Sequence, residues 1–530
     1  MPVAPTFAAQ LRLLAETAGA RRAVVFNGET LSYAELETQC LRFAAALDAA
    51  GIEPGARVAA LLPNGIEWLV AYLGTAASGR VFVGLNTWFT GPDLAYVLGK
   101  CEAQLLVATG RFRSHDYDAA IREALGPGAA VGATVSSDAL PALRSIVAVG
   151  ETAAATATWA DFLASGNGAG PRYQAGPDDP ALIVYTSGST GLPKGVPLLH
   201  QALLCNGEYI GDRQHVSAGD RLWLCSPLFF SYGCANALMV TLAHGCTLLL
   251  QDVFEPAAAA GLLEAEAATV YYATTNMTYA LRDELAARPR RLTLRTGTAI
   301  GTPAQLRTAM ELAPRICNIY GMTETYGNCA VTDAGDPAEV RLTTQGRPLP
   351  GHTITIVDPE TGRELGTGEL GEIRVSGLVT PGYWNDPERT ASSFDAAGRL
   401  RTGDLGRLDA AGRVVWESRL GDLIKTAGVN VSAAEVERVL EQDGRIRQVY
   451  VVGIPDETRG ENIAVAVQPA DDQLTAGDVV EFARARLASY KVPRLVELRP
   501  AGDFPVTSTG KVSRRDLARQ LAERHAGASR

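Results

Sequence analysis

Several things are missing from these 530 residues, and each absence removes a class of protein. No apolar stretch reaches the roughly 20 residues that a membrane-spanning helix needs. No CxxC pair occurs, and the eight cysteines lie scattered from Cys40 to Cys329, so they read as reduced core thiols rather than a disulfide framework. The six histidines form neither an HExxH motif nor half of a zinc-finger spacing, which argues against a zinc or iron centre. Positive charge is not in excess either. A net charge of −10 disfavours a nucleic-acid binder, which needs a basic face. The N-terminus lacks a basic start followed by an unbroken apolar run, because Arg12, Glu16 and Arg21 interrupt it. It reads as an amphipathic helix, and the expected location is cytoplasmic. No repeat of 20–50 residues is visible.

What remains is the composition of an ordinary globular interior, 47% hydrophobic and 20% charged, in a chain long enough for several domains. Residues 31–51 have the periodicity of a helix stopped by Gly51. The apolar run ARVAALLP ends at the Pro63-Asn64-Gly65 turn and reads as a buried strand. The helical IEWLVAYLGTAASG and the strand-like VFVGLN follow. This alternation predicts α/β layers with parallel pairing. Residues 126–139 and 166–170 read as surface loops. Between 340 and 420, short apolar runs separated by Gly and Asp turns predict a mainly antiparallel β subdomain. After Leu420 the pattern becomes helix, strand, strand, helix. The expected fold is therefore α/β: a large N-terminal domain over 1–420, with layered α/β parts and a β-rich subdomain, and a small mobile C-terminal α+β domain over 421–530.

The segment YTSGSTGLPKG at 185–195 carries the strongest chemical signal. Three glycines and four hydroxyl residues follow an apolar strand. Glycine lets backbone N–H groups approach phosphate oxygens, while hydroxyls add donors and Lys194 adds charge. A Walker A loop is excluded, because Pro193 precedes Lys194 and Gly195 follows it.

This segment resembles the phosphate loop of the adenylate-forming superfamily of acyl-CoA synthetases, luciferases and peptide-synthetase adenylation domains. Further segments resemble that family in its order: NIYGMTET at 318–325, GELGEIRVSG at 368–377, RTGDL at 401–405, the run from Arg419 through Asp422 and Lys425 to Gly428, and PVTSTGK at 505–511. The resemblance implies an ATP-dependent acid–thiol ligase of the aryl- or acyl-CoA type. A carboxylate attacks the α-phosphorus of ATP, pyrophosphate leaves, and the acyl group passes to coenzyme A. Anion meets anion in the first step, so positioning and charge neutralisation by Mg²⁺ and a lysine would carry it.

By the same resemblance, Lys511 contacts the α-phosphate and the attacking carboxylate, Glu324 ligates Mg²⁺, and Thr323 bonds the α-phosphate. Thr186, Ser187, Gly188, Ser189, Thr190, Gly191 and Lys194 would cradle phosphates. Gly297, Thr298 and Tyr320 would line the adenine site, Asp404 would take the ribose hydroxyls, and Arg419 would reach the ribose or phosphate side. Gly421 would be the hinge of the C-terminal domain, and Lys425 to Gly428 would face the thiol tunnel.

The sequence PLFFSYG at 227–233 resembles the family's PLFHxxG, with Phe230 in place of histidine. No acidic residue lies between Asp220 and Asp252 to pair with an ammonium, which disfavours an α-amino acid substrate. Phe229, Phe230, Tyr232, Asn236, Tyr272, Thr275 and Ile300 are the expected acyl-pocket residues, with Met277 nearby. Asn236 and Thr275 could reach a ring hydroxyl or amine. Bulk at Thr298 and Ile300 points to an aryl or medium-length acid. Loading of a carrier protein instead of coenzyme A remains an alternative, as does a catalytically inactive binding relative; a homodimer is left open.

Overall fold

The computed structural model describes residues 3–528 except 153, 167–172, 187–191, 427–428, 457–458, 472, 501 and 507–511. Seven of the expected site residues, Ser187, Gly188, Ser189, Thr190, Gly191, Gly428 and Lys511, therefore lie outside the described residues.

Two large sheets share one helical filling. In the first, the strands Arg22–Phe26, Thr247–Leu250, Arg221–Leu224, Val270–Tyr272, Thr296–Ala299 and Arg315–Tyr320 run parallel to their neighbours in that spatial order. In the second, Ser145–Ala148, Ala103–Ala108, Arg57–Leu61, Val81–Gly84 and Pro180–Thr186 are parallel, and Lys194–Leu199 closes the edge antiparallel to Pro180–Thr186. The helix Ile66–Ala77 buries every side chain but Glu67. A helix apolar on all faces belongs between layers. Its Trp68, Leu69 and Tyr72 share one core with Val24 and Leu222 of the first sheet and Val58 and Phe82 of the second.

The β-rich region is a four-stranded antiparallel sheet of His352–Val357, Gly371–Gly377, Leu400–Leu408 and Val414–Arg419. The C-terminal region builds its own sheet from Leu423–Thr426, Val429–Ser432, Ile446–Asp456, Gly460–Pro469 and Leu495–Leu498. The helices Ala433–Leu440 and Ala476–Arg484 pack one face of it around Val436, Val451, Val465 and Val479. Arg514–Ala528, a helix absent from the sequence reading, packs Leu517 and Leu521 with Ile454, Ala464 and Phe504. The fold is thus a large α/β region and a small α+β one, as expected from the periodicities.

Among the described residues, no helix is long and apolar enough to cross a membrane.

Candidate functional site

Two antiparallel strands flank the glycine-rich segment. Pro180–Thr186 enters it and Lys194–Leu199 leaves it, with Thr186 opposite Lys194 and Tyr185 opposite Gly195. The register sets Thr186 and Lys194 side by side at the edge of the sheet. At the first end the Thr186 hydroxyl is buried with no partner among the described residues. At the second end Lys194 turns inward.

Lys194 meets the turn that follows strand Arg315–Tyr320. There Thr323–Thr325 forms a single 3-10 turn, closed by Tyr326 at φ +59°. Glu324, 2% exposed, receives the Lys194 ammonium at 2.5 Å on Oε1. A buried carboxylate left without a counter-charge would be expensive, and the Lys194 ammonium supplies that charge. Burial works against the Lys194 ammonium, but Glu324 and Tyr383 act together against it and the lysine pKa is raised. A hard carboxylate oxygen already held against a cation, at the mouth of a phosphate-type loop, fits a divalent cation brought by a nucleotide. Among the described residues, no cluster of three His, Cys, Asp or Glu side chains forms a self-sufficient metal site. A metal here would need ligands from phosphate. Thr323 donates its hydroxyl to Ser231 Oγ at 3.1 Å and so is oriented by the segment 227–233.

The other end of the same strand turn faces the β-rich sheet. Tyr320 donates its phenol to Asp404 Oδ2 at 2.9 Å. Burial, then the Asp404 charge, pushes the phenol pKa well above its ordinary value, so it remains a donor. Asp404 also pairs with Arg419 Nε at 3.2 Å, and the two face each other across adjacent strands. Arg419 is largely exposed, reaching out from that anchor. Gly297 sits at φ +140°, where a Cβ would lie 2.0 Å from Tyr271 O. No other residue fits this approach.

The expected acyl-pocket residues divide into an outer and an inner set. Outermost is Ile300, which is 62% exposed; Phe230 is half-buried against the buried Phe229, with ring centroids 4.4 Å apart. Thr275 donates to Ile300 O at 3.3 Å and so braces that exposed loop. Tyr232 lies behind, its hydroxyl 2.9 Å from Thr298 Oγ1. Deeper still, Gln214 donates to the Tyr272 hydroxyl at 2.7 Å, which donates to Asn236 Oδ1 at 3.0 Å. Asn236 and Tyr272 are wholly buried beneath Tyr232 rather than at a reachable surface, and Thr298 is buried too. Asn236 sits in a π-helical turn, Tyr232–Ala237, and its Nδ2 has no partner among the described residues. Met277 is partly buried against a different core.

Gly421 lies exposed in the 3-10 turn Leu420–Asp422 with nothing within 4 Å of a would-be Cβ. Lys425 is exposed, its N–H held by Glu461 Oε2 at 2.7 Å.

Sequence reasoning passed over four residues. Trp88 packs edge-on against Phe229 at 5.6 Å and tilts against Phe230 at 5.9 Å, yet stays 37% exposed. Tyr383 donates to Glu324 Oε1 at 2.8 Å. Thr380 donates its N–H to Glu324 O at 2.7 Å, and Ser231 holds Thr323. Only an exposed-looking aromatic in NTWFT and in PGYWN could have flagged the first two.

The chain matches the family model described as AMP-binding enzyme over residues 11–384, and that described as AMP-binding enzyme C-terminal domain over 435–511. It is 32% identical to a feruloyl-CoA synthase of an Amycolatopsis species, across 94% of this chain and 96% of that protein. It is 32% identical to an indoleacetate–CoA ligase of Aromatoleum aromaticum, across 95% and 96%. Among solved structures, ATP-bound MatB from Rhodopseudomonas palustris aligns with a TM-score of 0.84 at 27% identity, covering 99% of this chain and 100% of that one.

Proposed function

This chain belongs to the AMP-binding enzyme family and is an AMP-forming acid–thiol ligase, and on that premise we propose that it joins a ring-bearing or medium-length carboxylic acid to coenzyme A. The observation that carries the reading is the single turn 320–324, which has Tyr320 against Asp404 at one end and Glu324 against Lys194 at the other. A nucleotide laid along that turn meets a carboxylate suited to hydroxyls at its sugar end and a cation–carboxylate pair at its phosphate end.

In the first half-reaction, an acid oxygen attacks the α-phosphorus, the new C–O–P linkage forms and pyrophosphate leaves. Thr186, Lys194 and the loop 187–191 would hold the phosphates. Thr323 would donate to the α-phosphate, and Lys511 would bridge it to the attacking carboxylate. Glu324 would hold Mg²⁺, which supplies positive charge where phosphate charge builds up. In the second half-reaction, the thiol attacks the acyl carbon and AMP leaves. The C-terminal domain, beginning at 421, would turn about Gly421 between the two, bringing Lys425 and Gly428 to the thiol path. Coenzyme A is favoured over a carrier protein because the similar proteins above are named for CoA esters.

The acid class follows from the wall. Trp88, Phe229 and Phe230 give an edge-and-face aromatic surface with no charge among them, suited to a flat apolar ring. Both CoA-ester names above belong to ring-bearing acids. The test is ATP-dependent pyrophosphate release over benzoates, hydroxycinnamates, arylacetates, fatty acids and amino acids, with and without coenzyme A, with products read by mass. An aryl or medium-chain acid should give AMP, pyrophosphate and an acyl-CoA. An acyl-AMP that accumulates and ignores coenzyme A would replace the acceptor with a carrier protein. Release confined to amino acids would sink the acid assignment.

A further inference from the structure

The loop between strand Gly371–Gly377 and helix Pro387–Ser393 supplies no residue to the roles assigned above, yet it grips both halves of the phosphate end. Thr380 donates its N–H to Glu324 O at 2.7 Å and its hydroxyl to Pro197 O at 2.8 Å. Trp384 donates its N–H to Gly195 O at 2.9 Å, beside Lys194. Between these anchors, the Tyr383 phenol donates to Glu324 Oε1 at 2.8 Å and accepts from Lys194 Nζ at 3.1 Å. The ammonium also lies 4.7 Å from the Tyr383 ring centroid, within cation–π reach.

Tyr383 itself has little freedom. It is 8% exposed, and its N–H donates to Thr390 Oγ1 at 2.9 Å. Gly382 before it takes φ +149° against the Thr390 side chain, and Asn385 after it is tied to Lys100 in both directions. A phenol fixed in this way orients a carboxylate without cancelling its charge. Lys194 cannot do both: its ammonium neutralises Glu324, and its flexible stem fixes no plane.

We infer that Tyr383 is a positioning residue that holds the Glu324 carboxylate in place for the divalent cation accompanying the nucleotide, after phosphate has drawn Lys194 away. This rests on the reading of Glu324 as the cation ligand. Incoming phosphate competes with Glu324 for the Lys194 ammonium. Once the lysine leaves, the Tyr383 hydroxyl is, among the described residues, the side-chain bond that still aligns Glu324. The pairing follows a general pattern in which a ligating carboxylate is itself hydrogen-bonded by an outer partner.

The experiment measures ATP binding to the full-length protein by calorimetry, without acid or coenzyme A, while Mg²⁺ is titrated. Tyr383→Phe should raise the apparent Kd for Mg²⁺ by about 10-fold. With EDTA, its ATP affinity should match that of the parent chain. In a Glu324→Gln background the same change should have no further effect, because the carboxylate it orients is gone. Equal Mg²⁺ dependence in Tyr383→Phe and the parent, where Glu324→Gln weakens it, overturns the role of Tyr383 alone. A parent chain whose ATP binding ignores Mg²⁺, or a Glu324→Gln variant with parental Mg²⁺ affinity, overturns the reading of Glu324 and this inference with it.

Discussion

At the scale of single residues, the site depends on side chains that only one identity satisfies. Gly297 is the sharpest case. Its φ of +140° disfavours any Cβ, and one placed there would strike the Tyr271 backbone. Gly297→Ala should destabilise the protein by about 1–3 kcal/mol through strain alone, read as a lower urea midpoint with unchanged slope. An unaltered midpoint would mean that the strand pair Val270–Tyr272 and Thr296–Ala299 shifts to make room. Lys511 belongs to the same scale by its proposed role. Lys511→Ala should slow acyl-AMP formation about 10²- to 10³-fold while thiol transfer from supplied acyl-AMP continues. Equal loss of both half-reactions would refute that division of labour. The resemblance singled out Glu324, Asp404 and Tyr320 from the letters because motif order marked them. Tyr383 stayed hidden because its partner is 59 residues away and no local pattern announces it.

At the scale of elements, rigid strands aim the chemistry and short turns carry it. The register of Pro180–Thr186 with Lys194–Leu199 places Lys194, strand Arg315–Tyr320 leads into the turn Thr323–Thr325, and the pairing of Asp404 with Arg419 joins two strands of the β-rich sheet. The proposed hinge lies just beyond that pairing. Gly421 is exposed and meets nothing, so a small side chain there should be harmless, and restriction of its backbone is the informative change. Gly421→Pro should lower the full reaction about 10²-fold while one half-reaction, assayed alone, persists. Parental rates for both halves and for the whole would place the pivot elsewhere. The periodicities made the helices and strands legible. They missed the helix Arg514–Ala528, whose apolar residues are sparse among charges and whose burial depends on the C-terminal sheet.

At the scale of the molecule, the small region docks on the large one through titratable contacts. Arg438 and Arg407 share Glu417, and Arg447 pairs with Asp283 at 3.1 Å. Among them Glu441 lies near Tyr279 and Thr302. Burial, partly offset by the Thr302 hydroxyl and Arg438 and reinforced by Glu437, raises its pKa to about 7 from an ordinary 4.5. The docked arrangement therefore favours the protonated carboxyl. Docking is unpenalised below 4.5, weakens as pH rises through about 7, and pays a constant penalty above that. Energy transfer between dyes on the two regions should fall across that window, and Glu441→Gln should flatten the profile. A parental profile in Glu441→Gln would assign the titration to another group.

The sequence by itself determined the α/β layering and the order of the motifs, because both rest on local spacing, and through that order the resemblance that implied the class of chemistry. Only the tertiary structure decided which side chains face one another. It buried Asn236 and Tyr272 completely, brought Trp88 against Phe229 from a distant loop, and closed Tyr383 over Glu324 and Lys194. Those contacts arise where two sheets and a connecting loop converge, and such convergence depends on packing between segments more than on any window of residues.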